Sequence, residues 1–205
     1  MRRLVLMGVM AAASAGAGGA ARAQDRPPLL PTRDVAVDYR ATAAGRTTNI
    51  HVLYSAGTER LRAEAAGQST YLIIDGQART AHIVMDRQRS VLDLPFDTDR
   101  WRGFILSDRA KFARLGTDRI LGVACTEWKV SGPFGDGTAC VTDDGVILHG
   151  AASGEAPDGH AGTGSIQAVS IHYGPQPDDV FAIPAGYKTM AMPTLPTMPA
   201  MHSRQ

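Results

Sequence analysis

The chain holds two cysteines, Cys125 and Cys140, and they flank a segment too rich in turn formers to stay extended. The surrounding stretch, Gly116 to Gly150, reads as two or three antiparallel strands. Side chains alternate at period two along a strand. On that spacing Ile120, Gly122, Ala124 and Trp128 share one face of the first strand, and Leu121, Val123 and Cys125 share the other. Ser131-Gly132-Pro133-Phe134-Gly135-Asp136-Gly137 turns the chain back. Asp144-Gly145 then separates ACVT from VILH, a strong short-range hairpin signal. The cysteines are thereby expected on neighbouring strands, 15 positions apart. A disulfide across a loop of that size contributes about 3 kcal/mol in the chain-entropy model. A catalytic thiol or a metal pair is the rival reading, and no C-x-x-C occurs to favour it.

A disulfide needs an oxidising compartment, and the N-terminus reads as a route to one. Arg2 and Arg3 precede an apolar, small-residue run, LVLMGVMAAASAGAGGA. Ala21-Arg22-Ala23 then fits an A-x-A cleavage site. Residues 1–23 are therefore expected to be a signal peptide, with Gln24 the mature N-terminus and a periplasmic or secreted destination. An uncleaved anchor competes; the Ala/Gly content and the fitting cleavage site argue against it. Lys and Arg number 21 against 20 Asp and Glu, and 18 against 20 after cleavage. Neither balance draws the chain to nucleic acid or acidic membranes. With 205 residues, 44% hydrophobic, the chain can build one domain with a core, and its 22 Gly and 12 Pro supply many turns.

Residues 24–33 form a Pro-rich extended lead-in, and residues 34–187 a β domain. Asp34 to Thr42 is a strand with Val35, Val37 and Tyr39 on one face. Thr47 to Tyr54 aligns Ile50, Val52 and Tyr54. Glu59 to Ala65 alternates apolar and charged residues, as a strand wet on one side does, although its Ala, Leu, Glu and Arg would also suit a helix. Ser69 to Asp75 and Arg79 to Asp86 are strands around Asp75-Gly76-Gln77. Ser90 to Leu94 follows the Arg87-Gln88 turn. Ser107 as N-cap, Asp108 at the positive end and Gly116 at C′ predict a short helix over Asp108–Leu115. Phe104, Phe112 and Leu115 would be its buried contacts. Residues 151–164 read as a long Gly/Ala loop, and Ser165 to Tyr173 as a last long strand. After Tyr187, residues 188–205 show no core-forming period and read as a disordered Met/Pro-rich tail.

Three segments carry a resemblance: YLIIDGQARTAHIVMDRQRSVLDLP, ILGVACTEWKVSGPFGDGTACVTDDGVIL and the closing VFAIPAGY. Together, over about residues 69–187, they resemble a family of exported bacterial proteins of unknown function. That family is similar to the periplasmic lipoprotein carriers (the LolA/LolB/RseB-like fold). The resemblance implies a mainly β protein: a strongly curved antiparallel sheet, an incomplete barrel, with one or a few short helices over the concave face. It also implies a non-enzymatic protein that binds a lipid, acyl chain or other apolar ligand in the concavity, with an envelope protein as a further candidate partner. Tyr71, Ile73, Met85, Trp101, Phe104, Phe112 and Trp128 are the candidate lining residues. For any single one of them, plain core filling is the more common role.

No other pattern competes strongly. None of His51, His82, His149, His160, His172 and His202 stands in a metal-binding spacing. No G-x-S-x-G occurs, and Gly132, Gly135 and Gly137 lack the Lys-Ser/Thr helix of a phosphate cradle. Asp97-Thr98-Asp99 lacks the remaining ligands of a calcium loop. No catalytic residue, metal or cofactor is therefore assigned. The alternative function is copper handling through the tail, where Met190, Met192, Met198, Met201 and His202 offer soft ligands for Cu(I). A purely structural or interaction domain is a further alternative.

Overall fold

The computed structural model describes residues 26–96, 109–132, 135–155 and 161–191. The expected signal peptide, Gln24, Trp101, Phe104, Ser107, Asp108 and the tail from residue 192 onward lie outside the described residues. Twelve strands form one sheet: β1 Val35–Ala43, β2 Arg46–Ser55, β3 Arg60–Ala65, β4 Thr70–Asp75, β5 Thr80–Met85, β6 Ser90–Leu94, β7 Lys111–Ile120, β8 Val123–Gly132, β9 Gly135–Val141, β10 Ile147–Glu155, β11 Ala161–Tyr173 and β12 Lys188–Ala191. Their order is β12-β6-β5-β4-β3-β2-β1-β11-β10-β9-β8-β7, so the curved sheet stays open, with β12 and β7 as its edges. Every pairing is antiparallel except β12 on β6, which is parallel. Two 3-10 turns, Asp86–Gln88 and Asp178–Phe181, are the only helical pieces among the described residues.

The hairpins follow from their turn residues. Ala44-Gly45 has φ of 49° and 74°, and Leu121-Gly122 has φ of 52° and 76°. Two successive positive φ values define the two-residue turn whose twist matches the flanking strands. Gly145, at φ 90°, closes the β9–β10 turn where Asp144-Gly145 predicted one. A Cβ there would stand 2.4 Å from the Leu30 carbonyl oxygen. The lead-in therefore passes directly over this turn, and Thr32 N–H donates to Asp144 O at 2.8 Å.

Four expectations are corrected. The described part of the predicted helix is not helical: Lys111 onward is β7, with Phe112 opposite Val130 and Arg114 opposite Trp128. Phe112 meets Trp128 edge to face, ring centroids 6.3 Å apart; this cross-strand packing outweighs the helix propensity and capping signals. Leu121 and Gly122 are turn residues, and Ile120 pairs with Val123, so Ile120 shares a face with Cys125 and not with Trp128. Residues 151–164 are largely strand, because β10 runs to Glu155 and β11 starts at Ala161. Small side chains let these strands close tightly: a Cβ on Gly137 would stand 2.3 Å from Ala151 O. Lastly, Lys188–Ala191 is β12, paired with Ser90–Asp93. The Glu59–Ala65 segment is a strand, as its alternation indicated.

Cys125 and Cys140 form a disulfide, S–S 2.08 Å and Cα–Cα 5.4 Å, across β8 and β9. They belong to a buried cluster with Val35, Val37, Tyr54, Leu61, Ile74 and Leu148, against which Leu30 of the lead-in packs. A second cluster holds Trp128, Ala139, Val141 and Ile147 with Leu29 and Phe112 beside them.

Candidate functional site

Cross-strand register assigns each strand residue to one of two faces, since directly paired residues point the same way. One face carries in-register apolar rows. Tyr54, Leu61, Ile74, Ala81 and Leu94 form a row across β2 to β6. Beside it runs Val52, Ala63, Leu72, Ile83, Leu92 and Met190, across β2 to β6 and on to β12. Burial differs between the rows. Over β2 to β4 the first row is buried, Tyr54, Leu61 and Ile74 being 2%, 4% and 4% exposed, whereas Val52, Ala63 and Leu72 are half-buried; on β5 and β6 both rows are half-buried, and Met190 is 45% exposed. β2 shows the same gradient along its length, exposed from Arg46 to Asn49 and buried at Tyr54 and Ser55. The apolar face is thus closed at one end and open at the other, where the β1–β2 hairpin lies. A half-buried apolar row spanning six neighbouring strands is the kind of surface that a greasy ligand can cover.

Tyrosines and turn carboxylates lock the closed end. Tyr39 OH donates to Ile147 O at 2.9 Å, and burial raises its pKa beyond the usual phenol range. Burial pushes Tyr54 up to about 12, helped by the charges of Glu59 and Asp34. Tyr173 OH donates to Asp144 Oδ1 at 3.1 Å and is likewise pushed up to about 12, chiefly by burial. Arg33 lies 3.6 Å from Asp144 and stacks 4.3 Å over the Tyr173 ring. All three phenols stay protonated at neutral pH and serve as fixed donors or packing groups.

The reverse face is richer in polar and ionic pairs. Asp38 accepts from His51 Nδ1 at 2.6 Å and from Ser170 Oγ at 2.5 Å. The Ser170 bond, then the His51 bond, hold the Asp38 carboxyl below its ordinary range. The Asp stands between Ser and His, so the imidazole cannot take the Ser proton as a hydrolase base would. His82 Nδ1 lies 2.7 Å from Asp93 in an equivalent cross-strand pair. In β8 and β9 the disulfide alternates with Trp128 and Ala139, and it packs in the cluster that holds Val35, Tyr54 and Leu61. Among the described residues no three His, Cys, Asp or Glu side chains gather as a metal site. An open depression of about 460 Å³ crosses the far ends of β9, β10 and β11. Thr42, Thr138, Ser153, Thr163 and Ser165 line it, with no aromatic residue.

The described candidate lining residues divide between the faces. Met85 pairs with Thr70 and Ser90 on the apolar face. Phe112 and Trp128 lie on that face too, at its β7–β8 end. Tyr71 and Ile73 point to the reverse face, in a cluster with Val84 and Val91 against which Tyr187 packs. Arg62 lies 3.7 Å over the Tyr71 ring and donates to Val180 O at 3.1 Å, tying the C-terminal segment across these strands. Leu72, Ile83 and Leu92 were not singled out from sequence. TYLIID is apolar at successive positions, so alternation alone could not say which set faces the open side.

No protein-family model matches the chain, and no curated protein sequence does. Solved structures do. An uncharacterised conserved protein from Thermus thermophilus is similar at TM-score 0.55 and 9% identity, over 78% of this chain and 91% of that one. Structures of the kinds that the sequence resembles are also among the similar ones. The MucA/MucB complex of Pseudomonas aeruginosa aligns at TM-score 0.49 and 14% identity, over 76% of this chain and 57% of that one. A LolA superfamily protein from Nitrosomonas europaea aligns at TM-score 0.38 and 12% identity, over 77% and 92%. At these identities the likeness is one of fold alone.

Proposed function

We propose that the protein is an exported, non-enzymatic binding protein that holds a lipid, an acyl chain or another apolar ligand against the open end of its apolar face. The observation that carries this reading is the row Val52–Ala63–Leu72–Ile83–Leu92–Met190, in register across six strands and only half-buried. Each acyl methylene removed from water against such a row contributes about 0.8 kcal/mol, so a single chain needs no deep cavity. The Cys125–Cys140 disulfide supports an oxidising compartment, in keeping with the N-terminal signal pattern. Met85, Phe112 and Trp128 extend the face; Tyr71 and Ile73 serve the reverse side.

The test is native mass spectrometry of the mature protein, combined with titration of the uncharged probe N-phenyl-1-naphthylamine. Wild type should carry lipid or enhance probe fluorescence. Leu72→Glu and Ile83→Asp should lose both while keeping a cooperative melt, because their positions are half-buried. Clean apo protein with no probe uptake, or unaltered uptake in both variants, would remove the apolar row from consideration.

A further inference from the structure

β7, Lys111–Ile120, is one edge of the sheet, and no strand lies on its outer side among the described residues. The opposite edge, β12, has four residues, whereas β7 has ten. A long edge offers a row of unpaired backbone groups to a further strand. Leu115 of β7 is 57% exposed, more than any other large hydrophobic side chain described. Three cations stand on this strand, but two are engaged within their own chain. Arg114 leans over β8 to Thr126 Oγ1 at 3.4 Å, and Arg119 donates to Gly122 O at 2.6 Å. Lys111 and Asp118 are exposed and form no ion pair among the described residues. Asp118 Oδ1 accepts the N–H of Arg119 at 2.7 Å, which leaves its second oxygen open. The edge thus presents one uncommitted charge of each sign.

Lys111 and Asp118 are seven positions apart, so a regular strand would turn them to opposite faces. The bulge between Arg114 and Gly116 removes that difference. Lys111 pairs with Ser131 and Asp118 with Cys125, and Ser131 and Cys125 share a face of β8, so Lys111 and Asp118 share one too. The bulge also decides how two copies of β7 can pair. Antiparallel strands related by a twofold axis must match faces, and in an unbulged strand only a register centred on a residue does so. Across this bulge, faces match in a register centred between Arg114 and Leu115. That register sets Lys111 opposite Asp118 of the second copy, Phe112 opposite its Thr117 and Ala113 opposite its Gly116, each pair on a common face. The Lys–Asp pair then occurs twice, and the two exposed Leu115 come together at the axis.

We propose that β7 is a self-association surface: two copies of the chain pair β7 to β7, antiparallel about the bulge, with two Lys111–Asp118 pairs fixing the register. The two sheets then become one. A bulge often blunts an edge against other strands; here it leaves the edge matched to an identical one. Main-chain hydrogen bonds supply the affinity of such strand addition. Opposite charges directly across a strand pair favour it and like charges oppose it, and exposed pairs are screened by salt. The proposal is independent of the reading of the apolar face.

The experiment is sedimentation velocity of the mature, oxidised protein over a concentration series at low ionic strength. Wild type should pass from monomer to dimer as concentration rises. Lys111→Asp sets acid against acid at both contacts, and Asp118→Lys sets amine against amine. Each should weaken the dimer about tenfold. An equimolar mixture of the two variants should restore association, as a heterodimer, because every contact is then acid against amine. Lys188→Glu, on the opposite edge strand, should leave the dimer unchanged. Hydrogen exchange of wild type, which depends on no variant, should slow along β7 between dilute and concentrated samples. A mixture that associates no better than its components overturns the proposal, as does a dimer unmoved by either variant or lost in Lys188→Glu. Wild type monomeric throughout, with β7 exchange independent of concentration, overturns it as well and leaves this edge to a strand of another protein.

Discussion

Opening the Cys125–Cys140 bridge gives the sharpest stability test. The bond closes a loop of 15 residues between two hydrogen-bonded strands. Loop-closure entropy for that length is about 3 kcal/mol. The β8–β9 hairpin pairs from Thr126–Val141 to Gly132–Gly135, so residual hairpin in the unfolded chain would bring the cost nearer to about 2 kcal/mol. Both cysteines are buried, at 4% and 3% exposure, so replacing them by alanine adds a packing loss that reduction alone does not. Urea unfolding should be followed for three proteins: oxidised wild type, reduced wild type and the Cys125→Ala/Cys140→Ala double variant. Reduction should lower the unfolding free energy by about 2–3 kcal/mol and the melting temperature by roughly 5–10 °C. The double variant should fall somewhat further. A loss under about 1 kcal/mol on reduction would refute the claim that the bridge constrains the unfolded chain.

Two further outcomes are expected. Gly137→Ala should cost over about 2 kcal/mol, because its Cβ would overlap the Ala151 carbonyl, while Gly162→Ala, with nothing within 4 Å, should be near neutral in the same urea assay. Asp38→Asn should destabilise at neutral pH and progressively less in acid. Asp38 is held below its ordinary value of 3.8, so its contribution is present above that value and fades as pH falls through the lower folded pKa. A wild-type-minus-variant difference that stays constant from about pH 6 to about pH 2 would contradict this.

Much of the fold was legible because period-two alternation survives wherever one face is wet. Glu59 to Ala65 shows this: Arg60, Arg62 and Glu64 alternate with Leu61 and Ala63, and that pattern prevailed over good helix formers. The segment before Gly116 went the other way. Its capping signals are local, whereas the reason it is a strand is the partner Trp128, fourteen positions after Arg114 and visible only once β7 and β8 pair. The Gly/Ala run of β10 and β11 was opaque for another reason. Glycine has no strand preference of its own, and its use here is the close approach of backbones that sequence does not display. At the candidate site, Met85, Phe112 and Trp128 could be picked out by size and softness. The row through Leu72 could not, because β4 is apolar on both sides and only the register with β3 and β5 sorts them.

The parallel β12–β6 pairing has a consequence for biogenesis. On the proposed export route the chain arrives N-terminus first, so β6 emerges and pairs with β5 well before its other neighbour is available. Until residues up to Ala191 have crossed, the β6 margin offers free backbone groups to any passing strand. The segment anchored by Arg62, Phe181 and Tyr187 then carries β12 into place. Arrival of β12 replaces the β6 margin with that of a four-residue strand, and short edges are less open to intermolecular pairing, so truncation near residue 187 should raise the tendency to aggregate.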